Sequence, residues 1–208
     1  NVAIGYEALK TEDAHGNNVA VGYQALKLQD AGDNAYNTAI GSGAGKTIST
    51  GAANTIIGGL AGDALTVGAA NIAIGYQSLS TEDAHGNNVA VGYRALRDLD
   101  AGAAGHNVAI GNDAGLLLST GTINTLVGST SGDAMTIGLQ NVGLGFATLG
   151  ANVAGHKNVA IGTYALVAMN AGSSTNTHNT AVGDAAGGAV TSGVQNTILG
   201  SVSLGSAT

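Results

Sequence analysis

Apolar and polar positions follow one short unit that recurs along the chain. Each unit is Asn, three residues drawn mostly from Val, Thr, Ala, Ile and Leu, and then Gly. It opens at Asn1, Asn18, Asn37, Asn54, Asn71, Asn88, Asn107, Asn124, Asn141, Asn158, Asn179 and Asn196. Successive openings lie 17 to 21 residues apart, and the first four steps sum to 70. The 208 residues therefore divide into three blocks of four units, 1–70, 71–140 and 141–208. Residues 11–23 and 81–93 are identical. A step of this length is too short for a pair of helices and fits one coil of a β-solenoid. The pattern predicts a single all-β domain over 1–208, a parallel β-solenoid of about twelve coils of 17–21 residues.

Counting the Asn of each coil as position 1, positions 2 to 4 are of strongly β-forming type and predict a short strand. Adjacent strand residues point to opposite faces, so positions 3 and 4 cannot share a side. Both are apolar in nearly every coil. The coil interior covers one face; partner chains are the expected cover for the other. Position 5 is always Gly, as in Gly5, Gly22, Gly41 and Gly58. That predicts a positive-φ corner or a close backbone approach. Asn1, Asn18, Asn37 and Asn54 would stack about 4.8 Å apart, the spacing of an amide ladder. Position 8 is always Ala, Ser or Thr, as a tight interior contact requires.

Position 9 separates two types of coil, Leu9 and Leu26 against Gly45 and Gly62. Gly-type coils carry alternating segments, TIST at 47–50 and ALTV at 64–67, which predict a second strand. Leu-type coils carry YEALK or YQALKLQD, which suit a single helical turn before a polar loop. Twelve coils would make a rod of roughly 55–60 Å. Open strand edges at its ends favour end-to-end stacking or flanking fibre domains.

Composition narrows the picture. There are 35 Gly, no Pro, Cys or Trp, and charged residues make up 9% of the chain. Large side chains are too few for a conventional core, so only a thin core of Ala, Val, Ile and Leu remains. The net charge is −7 and the six Lys and Arg are scattered singly, which argues against a nucleic-acid partner. No apolar run is long enough to insert into a membrane. Without Cys there is no disulfide scaffold and no thiolate metal site. The chain opens at Asn1 with neither Met nor a leader, as an excised segment would.

The phrases NVAIGYEAL, NVAVGYQAL and NTAIGSGAG resemble the head repeats of trimeric autotransporter adhesins and the related repeats of phage tail-fibre proteins. The resemblance runs the whole length of the chain. It implies a left-handed parallel β-roll, three chains side by side as a homotrimer, and attachment to a surface. The location it implies is extracellular, on a virion tail fibre or a bacterial surface. The repeat here is longer than that of the adhesin heads and closer to the fibre type.

Candidate chemistry is sparse. The stretch GSGAGKTIST at 41–50 looks like a phosphate-binding loop, but Ile40 stands where the first Gly of that motif belongs. Its counterparts in the other blocks replace Lys46 with Leu116 and Gly188. His15 and His85 occupy equivalent polar turns, each two residues after Asp13 or Asp83. Those turns lie four coils apart, about 19 Å, too far for one shared ion. The expectation is a non-enzymatic chain with no cofactor, no catalytic residue and no metal, its acidic and His turns solvated. The aromatic residues are patterned instead: Tyr6 and Tyr23, Tyr76 and Tyr93, then Phe146 with Tyr164. They suit a packing ladder or a stacking platform for a cell-surface glycan or receptor. Passive fibre shaft is the alternative to adhesion. An ice-binding solenoid would need unbroken Thr ranks, and Thr38, Thr55, Thr125, Thr180 and Thr197 are interrupted by Val and Ile.

Overall fold

The computed structural model describes residues 1–12, 16–82, 84–102 and 104–204. Among them there is no helix, and the fold is an all-β parallel solenoid. The chain forms two compact units, Asn1–His106 and Asn107–Thr208.

In the first unit positions 2 to 4 of each coil form β1 (Val2–Ile4), β2 (Val19–Val21), β3 (Thr38–Ile40), β4 (Thr55–Ile57), β5 (Ile72–Ile74) and β6 (Val89–Val91). Each pairs in parallel with the next, position for position, so Ala3 faces Ala20 and Ile57 faces Ile74. In the second unit β7 (Val108–Ile110), β8 (Thr125–Val127), β9 (Val142–Leu144), β11 (Val159–Ile161), β13 (Thr180–Val182) and β14 (Thr197–Leu199) pair in that order. A two-residue pair, β10 (Gly155–His156) with β12 (Thr175–Asn176), lies where the coils lengthen.

The Asn at position 1 is buried in every coil but the first and the last. Its side chain works in two directions. The Oδ1 accepts the backbone N–H of the next coil's Asn: Asn37 accepts from Asn54 at 2.8 Å and Asn54 from Asn71 at 2.9 Å. The Nδ2 donates to a carbonyl fourteen residues on in its own coil, as Asn37 does to Gly51 and Asn54 to Gly68. Amide-to-amide contacts also occur, at 3.0 Å from Asn158 to Asn141. The rungs are therefore chiefly amide to backbone. The fourteen-residue closure is seen in 17-residue coils. In longer ones the Nδ2 turns elsewhere, as Asn18 does to the Glu12 carboxylate.

Position 5 is both a left-handed corner and a close approach. Gly41 and Gly58 each have φ 138°, and a Cβ on Gly58 would lie 2.5 Å from the Gly75 carbonyl oxygen. Beyond it the chain runs through overlapping turns, with Ala44 N–H donating to Gly41, Lys46 to Gly43 and Ile48 to Gly45. Positions 7 and 9 take positive φ even where they are not Gly, as in Glu7 (55°) and Leu9 (48°). This corrects two expectations. TIST and ALTV form no second strand, and YEALK forms no helical turn. Left-handed Glu7 and Leu9 break up YEALK, whereas TIST and ALTV carry no left-handed residue and run as turn and bend without strand pairing. The N–H of Leu9 instead reaches the next coil's Ala25 carbonyl at 3.1 Å.

The core has a constant cross-section filled by positions 3, 8, 9 and 12. Where position 9 is Leu26, position 12 is Gln29; where position 9 is Gly45, position 12 is Ile48, all buried. A Cβ on Gly45 would sit 2.8 Å from the Ile48 Cδ1. In this Gly-type coil the Ile48 side chain takes the space over position 9; in Leu-type coils both positions are filled, as by Leu96 with Leu99 and Leu166 with Met169.

Two predictions follow from this geometry. Gly58→Val should unfold the first unit, since it meets both the left-handed φ and the Gly75 carbonyl. Gly32, with φ 68° and nothing within 4 Å of a Cβ, should accept Asn with a change below about 0.5 kcal/mol in urea titration. Gly45→Leu should cost about 1–3 kcal/mol by overpacking, and Ile48→Ala about 2–5 by leaving a cavity. Together they should cost less than their sum, by at least about 1 kcal/mol; additivity would show that the two side chains do not compete for space in this coil.

Candidate functional site: the outward strand face and the aromatic pairs

With Ala or a larger aliphatic at position 3 facing in, positions 2 and 4 face out. Ala20, Ala39, Ala73 and Ala90 are fully buried, while Ile4, Ile40 and Ile72 are 60%, 40% and 38% exposed. Across both units these outward positions hold only Val, Ile, Leu and Thr, without a single charge. Six strands at about 4.8 Å give each unit an aliphatic band roughly 24–29 Å long.

Position 6 follows the Gly corner and carries Tyr6, Tyr23, Tyr76, Tyr93 and Phe146, with Tyr164 one place later in its coil. Tyr6 stacks on Tyr23 with centroids 5.5 Å apart and planes 12° off parallel. Tyr76 and Tyr93 repeat this at 5.8 Å and 14°. Phe146 meets Tyr164 edge-on at 5.3 Å. The four paired Tyr are 46–66% exposed. Their faces are partly taken up: a Cβ on Gly59 would touch the Tyr76 ring, and the Arg94 guanidinium lies 4.8 Å from the Tyr93 centroid. Hydroxyls and ring edges are the parts most open to a ligand.

The glycine-rich stretch at 41–50 is a set of structural turns. Gly43 and Gly45 supply left-handed φ, and the Thr47 hydroxyl donates to the Asp63 and Leu65 carbonyls of the next coil. That hydroxyl is committed to coil stacking. Lys46 is half-buried beside it.

The histidine and acidic turns differ from the solvated turns expected. Asp13, His15 and Asp83 lie outside the described residues. Glu82, however, is fully buried; one oxygen accepts the His85 backbone N–H at 2.9 Å and faces His85 Nδ1 at 3.0 Å. Asp100, one coil on, brings a carboxylate oxygen within 4.8 Å of both groups. Position 12 of each coil points inward, so aligning Glu82 with Ile48 and Leu65 would have shown that it is a core residue. His156 is also buried. Its Nδ1 accepts the Leu139 N–H at 2.9 Å and its Nε2 meets the Ser174 hydroxyl at 2.7 Å. Burial, with Lys157 adjacent, lowers its pKa and keeps the ring neutral.

If the aromatic pairs hold sugar, replacing Tyr6, Tyr23, Tyr76 and Tyr93 by Ala should abolish glycan-array or cell binding while leaving the circular dichroism unchanged. Binding that survives all four changes would assign the pairs to packing alone.

Comparison with family models, with curated proteins and with solved structures finds no match to this chain, so its function is argued from geometry alone.

Proposed function

We propose that the chain is the structural and adhesive segment of an extracellular homotrimeric fibre that attaches a virus particle or bacterial cell to a surface. The observation that carries this reading is the outward strand face. Every strand leaves a pair of uncharged, mostly aliphatic side chains outside the coil, in register with those of its neighbours. Apolar bands of this extent are uncommon on soluble monomers and mark interaction surfaces. Burying one Val or Ile fully stabilises by about 1.5–3 kcal/mol, so a band of twelve positions is a strong drive to associate. Three copies around an axis cover the band and stiffen slender coils. They also present each surface site three times, so that weak contacts combine.

A second reading, a shaft with no ligand of its own, draws on the aromatic pairs. Stacked on one another, they already satisfy much of their surface within the chain.

Light scattering coupled to size exclusion should give about three times the 20.0 kDa chain mass, or multiples of that. Ile57→Lys with Ile74→Lys, on the outward face, should yield a folded 20.0 kDa monomer with the parent's circular dichroism. A wild-type chain that is monomeric at micromolar concentration would refute the trimer and leave the solenoid intact.

A further inference from the structure

Glu82 occupies a slot that other coils fill with Ile48, Leu65 or Leu118, and it is as completely buried as they are. A carboxylate removed from water is costly unless it is paired or bound to a metal. One of its oxygens is engaged by His85; the other has a long contact, 3.4 Å from the Ala101 N–H. A second carboxylate, Asp100, converges on the same imidazole from the next coil and is exposed enough to swing inward. The His85 imidazole attracts Glu82, but the two carboxylates within 4.8 Å of one another repel, and a cation shared by all three groups removes that repulsion.

We propose that Glu82, His85 and Asp100 form a divalent metal site, of the kind suited to Zn2+, that clamps two successive coils together. One imidazole and two carboxylates are ordinary zinc ligands, with bonds of about 2.0–2.2 Å. The fourth position is left to solvent on the Asp100 side.

The chain's own repeats supply an independent argument. The first block holds Glu12, His15 and Asp30 at the same offsets of three and eighteen residues. In the third block the equivalents are Asn152, Gly155 and Asn170, so all three ligand types are lost together. The loop itself needs none of them. Asn152 closes it without charge, its Oδ1 accepting the Gly155 N–H at 2.9 Å and its Nδ2 donating to the Gly155 carbonyl at 3.1 Å. If Glu82 served only to close the turn, neither the imidazole nor Asp100 would be needed beside it.

The test uses the whole untagged chain, stripped with EDTA and titrated with Zn2+ alone by calorimetry and native mass spectrometry. The comparison variant carries the third block's residues, Glu82→Asn, His85→Gly and Asp100→Asn, which that block shows to be compatible with folding. It should keep the melting temperature of the metal-free parent, bind one equivalent less Zn2+, and lose part of the parent's Zn2+-dependent rise in melting temperature. His85→Gln with Asp100→Asn should lose the same equivalent while leaving Glu82 in place. A wild-type chain that binds no Zn2+ at about 100 µM would overturn the proposal, as would either variant that retains the parent's stoichiometry.

Discussion

The asparagine that opens each coil, buried in all but the end coils, is the interaction on which the rest of the structure depends. A parallel stack has to close each coil on itself and bond it to the next, and the Asn amide does both with one side chain. Its oxygen takes a backbone N–H from the next coil; its nitrogen takes a carbonyl of its own coil. Asp would lose the donor and bring a charge into the core, and Gln would place the amide one methylene too far. With so few large side chains available, these buried, fully engaged amides do much of what an apolar core does elsewhere. They also set the 17-residue coil. Additional residues, as in the 19- and 21-residue coils, bulge out of the turns while the next strand returns to register.

Much of the fold was legible because its strongest constraints fall on residue types with few substitutes. Gly at position 5 is forced by a carbonyl 2.5 Å from where a Cβ would stand. The small residue at position 8 is forced by complete burial. The turns were not legible, for the opposite reason. Glu7, Leu9 and Leu26 adopt left-handed φ without being Gly, and nothing in their side chains announces it. Such a conformation costs on the order of 1 kcal/mol for a non-Gly residue. It is held by inter-coil bonds such as Leu26 N–H to the Ala44 carbonyl at 3.0 Å, which belong to the stack and to no local segment. Local alternation in TIST suggested a strand, and the segment forms none.

The same distinction separates the legible and illegible parts of the candidate sites. The outward face is a period-two pattern within three residues, visible in any one coil. The convergence of Glu82, His85 and Asp100 joins residues eighteen apart and depends on which turn position faces inward. Read locally, TEDAHG is a polar loop. Placed in register with Ile48 and Leu65, its Glu is a core residue.

The outward aliphatic residues carry the argument about function because the solenoid does not need them. Inside, the coil asks for Asn at position 1, mostly Ala at position 3, and a large residue at position 12 that Leu at position 9 joins in the Leu-type coils. Position 4 lies on the outer face, half-buried or exposed, and the coil interior does not require it to be aliphatic. In an isolated soluble solenoid, charges there would improve solubility and discourage edge-to-edge aggregation. Instead the position holds Ile, Val or Leu in every coil. An aliphatic side chain that the coil interior does not require, present at every level, is the observation from which we propose contacts outside the coil. A second copy of the chain would bring a band of matching spacing and chemistry, which is why we propose association as the function.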